Sequence, residues 1–229
     1  MPTINAGKYG VLSRSSTSSY SDVRNGTTAN AGLSNQPTST NTTAVRIKFL
    51  SGGKGNDWTL TRSFHAFNVT SYQTGFDITN LELEIDPTAT STTNFPIAIV
   101  KSTAQGNANS NLVSGDWDSV DFNTLYAGSS TTYWPDTNSV SQISLNSNAT
   151  AAFSTGYLKI CIMWYQDYTN VQPFLTGTES GTQNFSYVPR INFTATAQGY
   201  ANNVIGVDGS NIDNIISVDS ADIENVIGI

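Results

Sequence analysis

The chain holds one histidine, His65, and one cysteine, Cys161, so the side chains that most often carry nucleophilic or metal chemistry are nearly absent. A Ser–His or Cys–His site needs the imidazole beside a nucleophile, commonly presented on a sharp turn. No G-x-S-x-G elbow occurs, and His65 is expected to be a surface or satisfied core histidine. Zinc and copper sites need several His or Cys ligands, which two residues cannot supply. The run Asp116-Trp-Asp-Ser-Val-Asp121 sets three carboxylates within six residues. Hard oxygen ligands on a loop suit Ca²⁺, so Asp116, Asp118 and Asp121 are candidate ligands. The run lacks the glycine and the distant Glu of an EF-hand loop, and a solvated acidic loop is the preferred alternative. Paired carboxylates hydrolyse glycosides when held at a fixed separation. Nothing in this spacing fixes one, so the chain is expected to be no enzyme and to need no cofactor beyond the Ca²⁺ considered above.

Aromatic residues suggest a binding chemistry instead. Trp117 with Asp118, and Tyr133-Trp-Pro-Asp136, set aromatic faces beside polar side chains. Such a pair can stack on a sugar ring and bond its hydroxyls. Trp117, Asp118, Tyr133, Trp134 and Asp136 are therefore the carbohydrate-binding candidates. Core packing at sheet ends is the competing explanation, since large aromatics fill sandwich interiors.

The composition limits what can position these residues. Only 12% of residues are charged, against roughly 25% in an average soluble domain. Ser, Thr and Asn account for 82 of 229 residues. With 38% hydrophobic and 10% aromatic residues, a core can still form, which argues against disorder. The composition also argues against helix bundles and coiled coils, which need Ala, Leu, Glu, Lys and Arg. No apolar run approaches the 18 residues of a membrane span, so no membrane partner is expected. The net charge is −7 and there is no basic patch, so nucleic acid is not expected either. Residues 204–229 contain Asp208, Asp213, Asp219, Asp222 and Glu224 and no Lys or Arg, which is five of the seven excess negative charges.

A lone cysteine forms no intrachain disulfide, and Cys161 lies in the apolar run from Tyr157 to Tyr165, where a small buried hydrophobe is expected. The opening residues Met1-Pro-Thr-Ile-Asn-Ala-Gly-Lys8 lack an apolar leader core, so classical secretion is not expected. The six Asn-x-Ser/Thr sequons, at Asn25, Asn41, Asn68, Asn148, Asn184 and Asn192, are as many as chance gives for this composition. A hydroxyl-rich surface without a leader suits an extracellular object assembled inside a cell, as a virus particle is.

Strand-like runs recur from Ala44 to Thr196. Val45–Leu50 alternates apolar and basic residues, and Ile78–Ile85 carries Leu81, Leu83 and Ile85 at period two. Trp58–Asn68, Phe95–Val100, Ser139–Leu145 and Tyr187–Thr196 read as further strands, with Tyr157–Tyr165 as the central one. One or two edge strands precede them, followed by a polar loop through Asn35–Thr43. The expected fold class is all-β, two antiparallel sheets packed as a sandwich.

Three features stand in a recognisable order. Arg62-x-Phe64-x-x-Phe67 leads into Ile78-x-x-Leu81-x-Leu83, and Ile97-Ala-Ile-Val-Lys-Ser-Thr-Ala104 precedes Leu112-Val-Ser-Gly-Asp116. The terminal strand is Val188-Pro-Arg-Ile-Asn-Phe-Thr194. The chain thereby resembles the DNRLRE-type (disaggregatase-related) jelly-roll modules, which are typically carbohydrate-binding or adhesive. It is most similar to those in tailed-bacteriophage virion proteins. The resemblance implies an antiparallel jelly-roll β-sandwich over residues 15–197, after a lead-in at 1–14. It implies a non-catalytic structural protein of a virion (decoration, fibre, collar or tail component), assembled in the host cytoplasm, with host surface glycans as a further partner. A carbohydrate-binding or adhesion module at a bacterial surface is the alternative.

Residues 198–229 form a tail with an 11-residue repeat. Asn203-Val-Ile-Gly-Val-Asp-Gly-Ser-Asn-Ile-Asp213 aligns with Asn214-Ile-Ile-Ser-Val-Asp-Ser-Ala-Asp-Ile-Glu224 and then Asn225-Val-Ile-Gly-Ile229. An 11-residue period also fits a right-handed coiled coil, but Val, Ile, Gly, Asp and Asn are poor helix formers. A stacked unit is preferred, with a short strand at Val207 or Val218 followed by a helical turn capped by Asp208 or Asp219. Such units bury their apolar face only against neighbours. Val204, Ile205, Val207, Ile212, Ile215, Ile216, Val218, Ile223, Val226 and Ile227 are therefore the expected assembly residues. The partner would be another virion protein or further copies of the chain, with a trimer among the options.

Overall fold

The structure, a computed structural model, describes residues 1–36, 42–52, 55–89, 95–106, 110–134, 140–174, 179–185, 188–198, 214–215 and 218–219. The first strands are β1 (Thr3–Asn5), β2 (Lys8–Ser16), β3 (Gly32–Gln36), β4 (Thr42–Gly52) and β5 (Gly55–Asn68). Then come β6 (Phe76–Ile85), β7 (Pro87–Ala89), β8 (Pro96–Ser102), β9 (Val120–Tyr133) and β10 (Ser141–Ser144). The last are β11 (Tyr157–Trp164), β12 (Glu179–Phe185), β13 (Arg190–Ala197), β14 (Asn214–Ile215) and β15 (Val218–Asp219). Among the described residues three one-turn α-helices interrupt them: α1 (Tyr20–Arg24), α2 (Ser147–Ala151) and α3 (Tyr165–Thr169).

The strand order is that of a jelly roll. One sheet runs β1-β13-β6-β10, and the second contains β5-β11-β8-β9. Taking β1, β5, β6, β8, β9, β10, β11 and β13 as strands one to eight, the first sheet has order 1-8-3-6 and the second 2-7-4-5. Two interleaved Greek keys produce this order. All pairings within these sheets are antiparallel. The chain crosses between the sheets just after β1, where Ala6 donates to the Pro189 carbonyl at 3.1 Å and Gly7 to that of Ala66 at 3.0 Å.

The remaining strands extend the second sheet around β5. Residues 58–61 of β5 pair with both β2 and β4, and residues 63–66 pair with both β2 and β11. β4 and β11 therefore follow one another along one edge of β5, and β2 covers the other. In β4, Val45, Ile47 and Phe49 are buried while Arg46 and Lys48 are half-buried, as the alternation predicts. The abundant hydroxyls pair across strands: Ser13 with Thr61 and Ser15 with Thr59, both at 2.7 Å. A single buried apolar cluster draws on both sheets, including Leu83 and Phe193 from one and Phe64 and Ile162 from the other.

The expected strands are present, and β11 is interior as anticipated. One expectation is corrected, and two strands carry no clear sequence signal. Residues 1–14 are no lead-in, because β1 is a strand of the first sheet and β2 lies between β3 and β5. The segment from Val120 to Tyr133, which is not among the strand-like runs of the sequence, is a 14-residue strand. It lies at a sheet edge and is mostly half-buried, so it has no apolar alternation to reveal it. β12 was hidden because Glu-Ser-Gly-Thr-Gln-Asn-Phe contains one large apolar residue. Of the repeat, β14 and β15 pair antiparallel, Asn214 opposite Asp219 and Ile215 opposite Val218. Val218 is in a strand as expected, Asp219 is the last residue of that strand, and the helical turn expected to follow it lies outside the described residues. Val204, Ile205, Val207, Ile212, Ile216, Ile223, Val226 and Ile227 lie outside the described residues.

Gly128 marks an irregular part of the β8–β9 ladder. Its φ is +109°, and a Cβ there would lie 2.3 Å from the Ile97 carbonyl oxygen and 2.9 Å from the Ala98 Cα. Both atoms are backbone and cannot give way. Gly128→Ala is expected to destabilise by about 3 kcal/mol, from φ strain and steric overlap together. Urea unfolding checks this, and a cost below about 1 kcal/mol contradicts the geometry.

Candidate functional site

β5 places Arg62 between Leu60 and Phe64 on one face of the second sheet, and the side chain is 1% exposed. A guanidinium buried there must be paired and fully hydrogen-bonded. It is: Nε and Nη2 donate to the two Asp167 carboxylate oxygens, each at 2.7 Å. Nη1 donates to the Trp117 carbonyl at 2.9 Å, and Nη2 also to the Arg24 carbonyl at 3.2 Å. The guanidinium plane lies over the Trp117 ring, 4.1 Å from its centroid. Asp167 arrives from α3, which begins where β11 ends. Trp117 arrives from a 3-10 turn, Ser114–Asp118, and Arg24 from the end of α1.

Arg24 builds a second layer. Its Nε donates to the Asp167 backbone carbonyl at 2.7 Å, and its guanidinium lies 4.3 Å from the Phe122 ring centroid. Burial opposes the charge on Arg62, but Asp167 outweighs it through its charge and hydrogen bonds, holding Arg62 above the usual arginine value. Burial, reinforced by Asp167, pushes the Tyr20 hydroxyl up, and burial pushes the Cys161 thiol up against the pull of Arg62. Cys161 is thus an inert thiol, as expected. Both partners are committed to each other and enclosed, so this arrangement is a structural staple joining four segments.

His65 lies on the opposite face of β5, 1% exposed. It stacks on Tyr9 with ring centroids 5.8 Å apart and meets the edge of Phe185 at 5.3 Å. Neither ring nitrogen has a hydrogen-bond partner among the described residues. Burial pushes its pKa down to about 3. The imidazole is therefore neutral at physiological pH and is hydrogen-bonded to no hydroxyl or thiol among the described residues.

The carbohydrate candidates divide. Trp117 is fully buried with one face occupied by Arg62, and Trp134 is 2% exposed and packs on Phe185 at 5.3 Å. Neither presents a ring face to a ligand, which corrects the expectation for both. Asp118 and Tyr133 are exposed, Tyr133 at 52%. They lie at opposite ends of β9, which pair with Ser102 and Pro96 of β8, six residues and so roughly 20 Å apart at strand rise, too far to hold one sugar ring together. Asp136 lies outside the described residues.

The acidic run does not assemble into a Ca²⁺ cage. Asp116 Oδ2 accepts from the Val113 N–H at 2.9 Å. Asp121 accepts from the Thr124 hydroxyl at 2.8 Å and the Asn123 N–H at 3.0 Å, and these bonds hold its carboxyl below the usual range. No group of three or more His, Cys, Asp or Glu is placed to hold a metal among the described residues.

Sequence reasoning missed the Arg62–Asp167 pair. A single arginine at period two with Trp58, Leu60 and Phe64 was the available signal, because a charge on such an apolar face demands a buried carboxylate. Two open grooves flank α2 and share Ala151, one beside β8, β9 and β11 and one beside β6. No helix among the described residues is long and apolar enough to cross a membrane. No known family model matches the chain, and no curated protein is significantly similar to it.

Proposed function

We propose that the protein is a non-catalytic structural component of a bacteriophage virion, a decoration, fibre, collar or tail element. The jelly-roll sandwich faces outward, and the C-terminal repeat attaches it to another virion protein or to copies of itself. One observation carries the non-catalytic part: the buried charged groups are spent on the fold. Arg62 and Arg24 are held on Asp167, and Glu84 accepts hydrogen bonds from Arg190 at 2.5 Å and Asn192 at 2.6 Å. The one histidine is enclosed by aromatic rings. Jelly-roll order, low charge and a hydroxyl-rich surface support the outward-facing shell. A carbohydrate-binding or adhesion module at a bacterial surface is the second reading, favoured by the grooves beside α2.

The attachment role is tested by deleting residues 203–229. The full chain is expected to elute as an assembly and to associate with purified phage particles. The truncated chain is expected to be monomeric and to lose that association. Its melting temperature should move by less than about 2 °C, because the sandwich core is retained. Unchanged oligomeric state and unchanged particle association contradict the role given to the repeat.

A further inference from the structure

We propose that the open edge of β6 over Phe76–Asn80 takes the first copy of the repeat, Asn203–Val207 of the same chain, as an added strand. The inference concerns the sandwich edge and holds whether or not the repeat then attaches to a virion protein. β13 pairs with β6 as far as Phe76, whereas β10 covers the other edge only from Ile85 to Glu82. Leu145 makes the last bond along that edge, its N–H donating to the Leu81 carbonyl at 2.8 Å. The chain then turns away, since Asn146 donates to the Tyr126 carbonyl at 2.9 Å and, through its side chain, to that of Leu125 at 2.8 Å. A register shift beside Asn80, whose φ is +49°, separates the covered part of β6 from the open part. Along Phe76–Asn80 no strand lies on this edge among the described residues.

The Gln198 N–H donates to the Gly75 carbonyl at 2.8 Å, so Gly75, Asp77 and Thr79 aim their backbone groups at β13. Phe76 and Ile78 aim theirs the other way, and no backbone group answers them among the described residues. Edges of this kind are normally guarded by Lys or Pro. Phe76-Asp-Ile-Thr-Asn80 contains neither, and the carboxylate of Asp77 accepts from the Gln198 side chain at 2.7 Å. A groove of about 890 Å³ lies beside the edge, between Ile78 and Leu81 of β6 and Thr150 and Ala151 of α2.

The repeat supplies an occupant of matching length and chemistry. Asn203-Val-Ile-Gly-Val207 is uncharged and contains three β-branched residues, which favour strands. It starts five residues after Gln198, which is fixed beside Gly75 where the open edge begins. β13 and the vacant position flank β6, so they lie roughly 10 Å apart at strand spacing. Five residues reach roughly 17 Å. The chain can therefore pass the end of β6 and run beside it from Phe76 towards Asn80. So short a tether holds the segment at an effective concentration on the order of mM, which selects the chain's own copy over that of a neighbour.

The test follows amide hydrogen exchange of the full chain, residue by residue, by NMR. Exchange reads this local contact directly, whereas the melting temperature reads the core. The Ile78 N–H is expected to exchange about tenfold or more slowly in the full chain than in a chain ending at Asn202. Ile205→Pro puts a proline in the middle of the segment and is expected to exchange as the truncated chain does. The Leu83 amide, inside the β6–β10 ladder, should stay equally protected in all three proteins, which shows that the sandwich is intact. Protection of Ile78 should not change on dilution from about 0.5 to 0.05 mM, since the strand belongs to the same chain. The proposal is overturned if Ile78 exchanges equally in the full and truncated chains, if Ile205→Pro leaves it protected, or if its protection falls on dilution. Loss of particle association on truncation, with Ile78 exchanging equally fast in both chains, overturns this inference and leaves the attachment role standing.

Discussion

Asp167→Ala is expected to destabilise the protein by about 3–5 kcal/mol, because it leaves the Arg62 guanidinium charged, buried and unpaired. Arg62 is 1% exposed and Asp167 2%, so water cannot take over the lost contacts. Two 2.7 Å charge-assisted hydrogen bonds disappear at once. For a chain of this length the melting temperature should fall by roughly 6–20 °C. The loss should exceed that of an exposed pair such as Lys101–Asp121, where about 0–1 kcal/mol is typical. Replacing both partners, as in the double variant R62M/D167L, removes the uncompensated charge and should recover more than half of the loss. Thermal and urea unfolding of the three proteins measure this. A cost below about 1 kcal/mol for Asp167→Ala contradicts the account of the staple.

Mild acid is expected to destabilise the folded protein through His65. The folded state keeps the imidazole neutral down to about pH 3, whereas the unfolded residue protonates near its ordinary value of 6.5. Between those values the unfolded chain binds the additional proton, so stability rises with pH and is lost as pH falls from 6.5 towards 3. Going from pH 8 to pH 5 should cost about 2 kcal/mol, one proton taken up on unfolding. No other histidine contributes, because the chain has one. His65→Leu should therefore flatten the stability profile over this range and be at least as stable at pH 8, since the ring makes no hydrogen bond among the described residues. Below about pH 5 a second loss should follow from Glu84. Burial opposes its charge, but hydrogen bonds from Arg190 and Asn192 and the Arg190 charge outweigh burial and hold its carboxyl low. Protonating it breaks those contacts. A profile for the parent protein that is flat from pH 8 to pH 5 contradicts the burial of a neutral His65.

The fold was legible where a strand has one wet face or an unbroken apolar run. β4, β6 and β11 advertise themselves by alternation or by hydrophobicity. β9 and β12 do not, because β9 is an edge strand rich in short polar residues and β12 holds one large apolar residue, while the backbone ladder remains in both. The aromatic candidates misled for a related reason. Trp117 sits beside two acidic residues in the chain, yet its ring turns inward to cover Arg62, a partner 55 residues away. Sequence neighbours describe a loop, and only tertiary structure says which face of a ring is free. The repeat was legible through its 11-residue period, a signal that needs no tertiary information.

The central claim, that this sandwich is displayed on a phage particle, is tested most directly by immunogold electron microscopy of purified intact particles with an antibody against the folded sandwich. The account predicts gold at one fixed position on every intact particle. Unlabelled intact particles, with the label instead on the bacterial envelope, would contradict it and favour the surface-adhesion reading.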